Sequence, residues 1–214
     1  MLKHISILVD NNSWILSYAE QLLQTLAKLN YNCVLVRNAN DIPKGDVCFL
    51  LGCTKIVPKL ILKRNTHNLV VHESALPSGK GFAPMSWQIL ANENKIPVCL
   101  IEASENVDSG HIWLQDCIEL NGFELHDEWR KKQGLMTIKL AKEFIEHYEH
   151  LSPTPQTGEE SFFERRTIKD SELDISKNIK DQFNLLRIAS NSNYPAFFIL
   201  NGIKYTINIS KKEP

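Results

Sequence analysis

The sequence predicts an α/β fold with helices on both faces of a mostly parallel sheet, and two patterns support this prediction. Short apolar runs rich in β-branched residues recur through the first 120 residues and are typical of strands buried on both faces. Segments with helical spacing separate most of them, and strands that alternate with helices favour parallel pairing. We therefore expect a Rossmann-like, mostly parallel sheet flanked by helices, followed by a small C-terminal helix-plus-hairpin subdomain.

The first elements alternate as this fold requires. ISILVD (residues 5–10) is predicted to be a buried strand, and the helical spacing that follows it is carried by Ala19, Leu22, Leu23, Leu26 and Leu29. NCVLVR (residues 32–37) and DVCFLL (residues 46–51) are further predicted buried strands. VPKLILKR (residues 57–64) predicts a short helix with proline in its first turn, and NLVVH (residues 68–72) predicts the next strand.

The pattern changes after this strand. APMSWQILANEN (residues 83–94) is a helix candidate, and PVCLIEAS (residues 97–104) and HIWLQDCIEL (residues 111–120) are predicted to pair like a hairpin. A long charged helical tract follows, and we interpret its residues 126–150 as a solvated helix face.

A break in composition marks the predicted boundary between two units. LSPTPQTGEES (residues 151–161) is rich in proline, serine, threonine and glycine and predicts an exposed connection. Beyond it, one helical face is predicted from Ile179, Phe183, Leu186 and Ile188. The Asn201-Gly202 dipeptide between β-rich runs predicts a two-residue hairpin turn. We expect a main domain over residues 1–150 and a C-terminal subdomain over residues 151–214.

Composition excludes several classes of function. The chain has 24 Lys and Arg against 25 Asp and Glu, a net charge of -1, so no overall positive field is available to bind nucleic acid or an anionic membrane. Five cysteines without a CxxC pair or metal-ligand spacing predict reduced thiols and no metal site. The sequence shows no signal peptide and no apolar stretch of the roughly 20 residues that span a bilayer. We therefore expect a cytoplasmic protein.

Two residues stand where a sheet of this kind presents functional groups. His72 ends a predicted central strand, and Asp108 lies in the loop after a following strand, so the two can meet at the carboxyl edge of the sheet. Each also has an ordinary structural interpretation. A backbone carbonyl can satisfy a histidine at the edge of a core, and Asp-Ser-Gly is common turn chemistry.

Several stretches together resemble the formyltetrahydrofolate-dependent formyltransferases. HESALPSGKGFAPMSWQIL (residues 72–90) is similar to the family signature "HPSLLPxxxGxxPxxxAI", NVDSGHIWLQ (residues 106–115) to its "vDxGxIi.q" segment, and GCTKIVPKLIL (residues 52–62) to the stretch before the histidine strand. In the first of these the matching residues are His72, Ser74, Leu76, Pro77, Gly81 and Pro84. Residues 161–198 resemble the tail of the subgroup that acts on nucleotide-linked amino sugars.

The resemblance implies roles for these residues. His72 is the expected base or proton shuttle for attack by an amine, and Asp108 is expected to hold and charge its imidazole. The cosubstrate implied is 10-formyltetrahydrofolate, and the residues expected to bind it are Gly52, Pro58, Gly81, Phe82 and Pro84. The family has an oxyanion-stabilising asparagine two residues before the histidine, where this chain has Val70. Asn68 is too far along the strand to replace it, so Asn106 or a backbone N–H is the expected donor.

The resemblance of the tail implies a nucleotide-activated amino sugar as the acceptor. Guanidiniums suit a diphosphate, and aromatic rings suit a base or sugar face. The expected substrate-binding residues are Ser74, Lys80, Gln88, Arg165, Arg166, Arg187, Tyr194 and Phe197. The alternative for the tail residues is a solvated basic turn with ordinary core aromatics.

The functional hypothesis is an N-formyltransferase of surface glycan biosynthesis, expected to be a homodimer that acts on no nucleic acid. Glycinamide ribonucleotide is the alternative acceptor, while methionyl-tRNA is disfavoured because the chain has little basic surface. A different class of function also stays open, in which Val70 marks a binding protein that holds folate or nucleotide sugar without turnover.

Overall fold

The computed structural model describes residues 2–212 and contains a six-stranded sheet in the order β2-β1-β3-β4-β6-β7. The ten strands are β1 His4–Leu8, β2 Asn32–Val36, β3 Gly45–Leu50, β4 Asn65–His72, β5 Lys80–Gly81, β6 Lys95–Glu102, β7 Ile112–Glu119, β8 Phe162–Phe163, β9 Ala196–Leu200 and β10 Ile203–Ile207. Strands β2, β1, β3 and β4 are parallel, whereas β6 runs antiparallel to both β4 and β7. The predicted mostly parallel sheet with a hairpin-like last pair is confirmed.

Five α-helices accompany the strands, namely α1 Leu16–Lys28, α2 Lys59–Leu62, α3 Pro84–Leu90, α4 His126–His147 and α5 Phe183–Ile188. Each overlaps a helix that the sequence predicted, and α1 begins one residue earlier than its predicted stretch, residues 17–30. Helices α1 and α4 pack together on one face of the sheet, and their shared core includes Leu22, Leu26, Leu140 and Phe144. This layer shields one face of β1, β3 and β4 from water, so that β4 ends in a dry environment.

Two sequence interpretations need correction. Strand β2 is not buried on both faces, because it lies at the edge of the sheet and leaves Val34 exposed. Helix α4 is not simply a solvated surface, since Trp129 and Phe144 are fully buried against the sheet and α1. The charged residues between them reach solvent, which hides the apolar stripe in a composition-based interpretation.

The connection after α4 is exposed, as predicted, yet it is bound to the main sheet. Thr154 forms an antiparallel bridge with Ile112 of β7, and strand β8 pairs in parallel with β5, the two-residue strand in the loop after β4. The segment 154–163, which we name the strap, therefore lies against the end of β4 instead of leading away from it.

The C-terminal residues form the predicted helix and hairpin. β9 and β10 are joined by Asn201 and Gly202, whose φ angles of 50° and 76° are those of a tight two-residue turn. A separate apolar cluster joins α5 to this hairpin, and Trp129 Nε1 donates to the Arg187 carbonyl oxygen at 2.9 Å, which ties the unit to α4. Among residues 2–212, no helix has the length and apolar character needed to cross a bilayer.

Candidate active site

His72 is the last residue of β4, and its ring is almost completely enclosed, with 5% of the residue exposed. Its Nε2 lies 2.8 Å from the carbonyl oxygen of Gly79. Because a carbonyl oxygen only accepts hydrogen bonds, Nε2 carries a hydrogen and donates it. Nδ1 is therefore the nitrogen of His72 that is available to gain and lose a proton.

Asp108 meets His72 from the loop between β6 and β7. Its Oδ2 lies 3.5 Å from His72 Nδ1 and accepts a hydrogen bond of 2.9 Å from the Gly81 N–H. The Asp108 backbone has a φ of 51°, a left-handed conformation that aspartate tolerates better than most residues. The structure thus brings together the two residues that the sequence selected as a pair.

This geometry suits proton transfer. The Nδ1 to Oδ2 separation exceeds hydrogen-bonding length, so Nδ1 is not already bonded to the carboxylate. With side chains only 6% and 11% exposed, an imidazolium at His72 would nevertheless be stabilised strongly by the Asp108 charge. The pair can accept a proton at Nδ1 and hold the resulting charge.

The strap fixes the loops that carry this pair. Lys80 is 1% exposed, and its Nζ contacts Ser109 Oγ at 2.9 Å and Glu160 Oε1 at 2.5 Å. Ser161 Oγ accepts a hydrogen bond from the Gly79 N–H at 2.8 Å, and Gln156 Nε2 donates to the Asp108 carbonyl oxygen at 2.8 Å.

Sequence analysis missed the strap residues Gln156, Glu160 and Ser161. They belong to a polar stretch whose composition indicates only an exposed connection. Lys80 was expected to bind substrate, but its ammonium group is already bonded within the protein, and the structure supports a positioning role instead.

The glycines of the loop after β4 also act differently from what was expected. A Cβ at Gly79 would lie 2.7 Å from Phe163 Cε2, and one at Gly81 would lie 2.4 Å from the Phe163 carbonyl oxygen. Gly81 also has a φ of 99°. These glycines let the strap pack against the loop, because Phe163 occupies the space that a side chain at either position would need.

The candidates for the oxyanion donor that Val70 lacks lie in different environments. Val70 packs between two apolar clusters, and the Asn68 amide donates to the Leu62 carbonyl oxygen at 2.9 Å. Asn106 is exposed, and its carbonyl oxygen accepts from Ser104 Oγ at 2.7 Å. Ser74, two residues after His72, has a buried hydroxyl oxygen without a hydrogen-bond partner among the described residues.

The residues expected to bind folate lie on the loops around the end of β4. Gly52 is exposed after β3 with a φ of 56°, and Pro58 precedes α2. Pro84 is the buried first residue of α3, and the half-exposed Phe82 lies beneath the Arg165 guanidinium at 5.1 Å from its ring centroid. These residues share one end of the sheet, and their role in folate binding stays a prediction.

The loop after β3 is held by Asp10. Its carboxylate accepts hydrogen bonds from the backbone N–H groups of Thr54 and Lys55 and from the Asn11 amide. Burial raises the pKa of Asp10, but these hydrogen bonds outweigh it and hold the pKa below 3.8. Ionised Asp10 therefore fixes the loop that contains Gly52, whose carbonyl oxygen accepts a hydrogen bond from the Asn11 amide.

Two residues expected to bind substrate are instead structural. The Arg187 guanidinium is fully buried, donates to Asn184, Asn94 and the Glu124 carbonyl oxygen, and pairs with the Glu124 carboxylate at 3.6 Å. Phe197 is 4% exposed and packs within the C-terminal unit. Neither is available to a ligand in this structure.

The remaining substrate-binding candidates differ in accessibility. Gln88 donates its amide hydrogens to the carbonyl oxygens of Glu73 and Pro84, while Tyr194 is 57% exposed. Arg165 is exposed, and Arg166 is half-buried and donates to the Asp170 carbonyl oxygen and Ser171 Oγ.

Metal-ligand side chains do not converge in the described residues. No group of three or more His, Cys, Asp or Glu side chains between residues 2 and 212 has a geometry that could hold a metal ion. All five cysteines are unpaired thiols. Burial raises the pKa of Cys48 to about 12, and the neighbouring Cys53 adds to this shift.

Comparison with known proteins gives a partial family match. Residues 35–132 match the family model described as formyl transferase. The methionyl-tRNA formyltransferase of Francisella philomiragia is 27% identical over 161 residues, which cover 74% of this chain and 51% of the relative. This chain therefore spans about half the length of the curated relatives it matches.

Solved structures share the fold over nearly the whole chain. A methionyl-tRNA formyltransferase from Clostridium thermocellum has a TM-score of 0.82 at 18% identity, over 99% of this chain and 94% of that one. A 4-N formyltransferase from Francisella tularensis has a TM-score of 0.70 at 18% identity, over 99% of both chains. HypX from Aquifex aeolicus in complex with tetrahydrofolic acid has a TM-score of 0.78 at 19% identity, over 94% of this chain and 36% of that one.

Proposed function

We propose that this chain is an N-formyltransferase that moves a formyl group from 10-formyltetrahydrofolate to the amine of a nucleotide-activated amino sugar. The observation that carries the proposal is the enclosed His72–Asp108 pair at the carboxyl end of β4, inside the segment that matches the formyl transferase family model. The chain's sequence relatives and structural neighbours include formyltransferases, which supports the reaction class.

The reaction requires one proton to be moved between two nitrogens. The neutral sugar amine attacks the formyl carbon, and the new C–N bond forms as the amine gives its proton to His72 Nδ1. Asp108 stabilises the imidazolium at 3.5 Å. The bond from the formyl carbon to the folate nitrogen then breaks. His72 Nδ1 gives its proton to that nitrogen, and tetrahydrofolate leaves. The Nε2 bond to Gly79 keeps the ring orientation fixed throughout.

Three exposed apolar side chains lie on segments that surround the proposed folate site. Ile56, Leu60 and Val107 expose large apolar surfaces on the loop after β3, on α2 and on the loop after β6. An ion pair between Lys59 and Glu105 joins α2 to the loop that contains Val107. Exposed apolar side chains near a polar catalytic pair are typical of a small-molecule site, so these three are proposed to contact the cosubstrate together with Gly52, Pro58 and Phe82.

The acceptor is assigned by charge and by neighbours. With a net charge of -1, the chain has no excess of positive charge with which to hold tRNA. A 4-N formyltransferase and other sugar N-formyltransferases match its fold along their whole length. The names of the sequence relatives favour methionyl-tRNA as a second candidate acceptor. The cytoplasmic location of the protein and its assembly as a homodimer remain predictions.

An acceptor panel tests the proposal. The protein is incubated with 10-formyltetrahydrofolate and, separately, with UDP- and TDP-linked amino sugars, glycinamide ribonucleotide or methionyl-tRNA. Release of tetrahydrofolate and the mass of the formylated product are measured. We expect product only with an amino sugar, and formylation of methionyl-tRNA alone would refute the assignment of the acceptor.

A variant pair tests the chemistry. His72→Asn should abolish most turnover while nucleotide-sugar binding is retained, whereas His147→Asn, an exposed histidine on α4, should leave the rate unchanged. Binding of both ligands by the wild-type protein without turnover would instead support a binding protein in which Val70 has replaced the catalytic amide.

A further inference from the structure

Strand β5 pairs with the strap along one of its two edges. The Lys80 N–H donates to the Ser161 carbonyl oxygen at 2.9 Å, and the Phe82 N–H donates to the Phe163 carbonyl oxygen at 3.1 Å. In extended backbone the polar groups of successive residues point to alternate edges. The polar groups of the residues between and before these donors therefore point away from the strap.

The second edge of β5 holds both members of the catalytic pair. The Gly79 carbonyl oxygen accepts a hydrogen bond from His72 Nε2 at 2.8 Å, and the Gly81 N–H donates to Asp108 Oδ2 at 2.9 Å. The strap and the catalytic pair thus bind opposite edges of the same short strand. A displacement of β5 relative to the strap would move the partners of His72 and Asp108 together.

One peptide group connects His72 to the strap. The peptide between Gly79 and Lys80 accepts from His72 at its oxygen and donates its N–H to Ser161. Because a peptide group is planar, it cannot rotate without breaking both hydrogen bonds, and bonds that share a peptide polarise one another. Ser161 Oγ also accepts from the Gly79 N–H at 2.8 Å, so Ser161 binds the peptide groups on both sides of Gly79.

The loop depends on these contacts because its own conformational preferences are weak. β5 has only two residues, and Gly79 and Gly81 have φ angles of 77° and 99°. Glycine adopts such angles readily, but fixing a glycine in one conformation costs more backbone entropy than fixing any other residue. The orientation of the Gly79 carbonyl group is therefore set by the strap and not by the loop alone.

The Lys80 side chain makes a second connection, which leads to Asp108. Its ammonium group is buried and donates to Glu160 Oε1 of the strap at 2.5 Å and to Ser109 Oγ at 2.9 Å. Ser109 directly follows Asp108, whose backbone has a left-handed φ of 51°. A residue other than glycine keeps such a conformation when surrounding contacts hold it. The buried ammonium also keeps its partners in place, because an unpaired charge there would be strongly unfavourable.

We propose that Ser161 and Lys80 are positioning residues for the proton transfer, which hold His72 and Asp108 in their productive arrangement. Ser161 acts on His72 through the peptide after Gly79, and Lys80 acts on Asp108 through the residue that follows it. The inference rests on the proton-transfer mechanism of the proposed function, and it holds whichever amine is the acceptor. Its physical basis is that a shift of about 1 Å in a reacting group can cost about 10²-fold in rate.

Steady-state formyl transfer by the full chain tests these roles. Lys80→Met should lower kcat by about 10²-fold and Ser161→Ala by about ten-fold, while KM for each substrate changes by less than about three-fold. Ser161→Thr keeps the hydroxyl group and should recover most of the rate. The matched controls are Lys28→Met, at the exposed end of α1, and Ser152→Ala, in the exposed connection before the strap, and both should keep full activity.

A double-mutant cycle separates positioning from a general loss of structure. If Lys80 acts by placing the Asp108 carboxylate, Lys80→Met should cost less than about three-fold in the Asp108→Asn background, because no carboxylate is left to place. Effects that multiply fully would overturn the link between Lys80 and Asp108, and so would a raised KM with an unchanged kcat. Thermal unfolding checks each variant, and if Lys80→Met does not fold, Ser109→Ala, an exposed residue, tests the same connection.

Histidine NMR tests the role of Ser161 without turnover. In protein labelled with ¹⁵N at histidine, at about pH 8.5, two units above the ordinary pKa of histidine, the His72 signals are identified by their loss in His72→Asn. We expect a His72 Nε2–H that exchanges with water about five-fold faster or more in Ser161→Ala than in the wild-type protein, because a supporting hydrogen bond is lost. Equal exchange rates in the two proteins would overturn the role of Ser161.

The two assays together separate this inference from the proposed function. Faster exchange at His72 in Ser161→Ala, in a protein that formylates no amine, would support the role of the strap and refute the proposed function. Formylation of an amino sugar with an unchanged kcat in both Lys80→Met and Ser161→Ala would refute the inference and leave the proposed function intact.

Discussion

Replacing Asp108 by asparagine removes the charge beside His72 and little else. The asparagine side-chain oxygen can still accept the hydrogen bond from the Gly81 N–H, which lies 2.9 Å from Asp108 Oδ2. The two side chains are nearly equal in size, so the loop between β6 and β7 should keep its conformation. Any loss of rate then reports the electrostatic contribution of the carboxylate.

The size of that loss follows from the geometry. Asp108 Oδ2 lies 3.5 Å from His72 Nδ1. Two unit charges at this separation attract by about 5 kcal/mol when the effective dielectric constant is about 20. Because about 1.4 kcal/mol corresponds to ten-fold in rate, kcat should fall by about 10³-fold if an imidazolium forms in the transition state.

The assay is steady-state formyl transfer to the acceptor that the panel identifies, with tetrahydrofolate release as the signal. Asp116→Asn is the matched control, because Asp116 lies on β7 and pairs with Lys139 at the surface. We expect that control to keep full activity. A loss of less than ten-fold in a normally folded Asp108→Asn protein would show that the proposed role of the pair is wrong.

The remaining predictions concern stability and are read from urea unfolding curves. Gly81→Ala should lower the free energy of unfolding by roughly 2 kcal/mol or more, because its Cβ would lie 2.4 Å from the Phe163 carbonyl oxygen. Gly202→Ala also has a positive φ but no atom within 4 Å of its Cβ, so it should cost only about 1 kcal/mol, and equal costs would contradict the packing argument. Arg187→Met should cost roughly 3 kcal/mol because it leaves buried polar partners without a donor, and a neutral result would contradict a structural role. Asp10 has a pKa below 3.8 in the folded state, so its contribution is present above about pH 4 and is lost as the pH falls through the folded pKa. Asp10→Asn should therefore lower stability at pH 7 more than at pH 3, and an equal loss at both pH values would refute this account.

The order and type of the main elements were predictable from sequence because they depend on local patterns. Apolar β-branched runs and helical spacing specify strands and helices within windows of about ten residues. The resemblance picked out the His72–Asp108 pair, but the strand-end expectation was wrong, because β6 runs antiparallel to β4 and its carboxyl end lies beside Leu69. The loop after β6 returns to the end of β4 and brings Asp108 to His72. The Asn201-Gly202 turn was predictable because its conformation is a property of two adjacent residues.

Other features depend on contacts between residues far apart in the chain. Arg130 lies in the charged helix α4 and Arg187 in the mostly apolar helix α5, and neither local pattern shows how the guanidinium is used. Arg187 is satisfied by Asn94, 93 residues away, whereas Arg130 is stacked on Trp14 and keeps unused donors. Gly79 is explained by Phe163 and Ser161 of the strap, the latter 82 residues away.

The sequence by itself therefore determined the main strands and helices, because local periodicity specifies them, and its motifs picked out His72 and Asp108 as a candidate pair. Only the tertiary structure decided which buried cations have every donor nitrogen paired within the protein and which keep one unpaired among residues 2–212. It also decided that Phe163 packs against Gly79 and Gly81 in the loop after β4. Burial and hydrogen-bond partners are set by packing between distant segments, and that packing leaves no periodic signal in the chain.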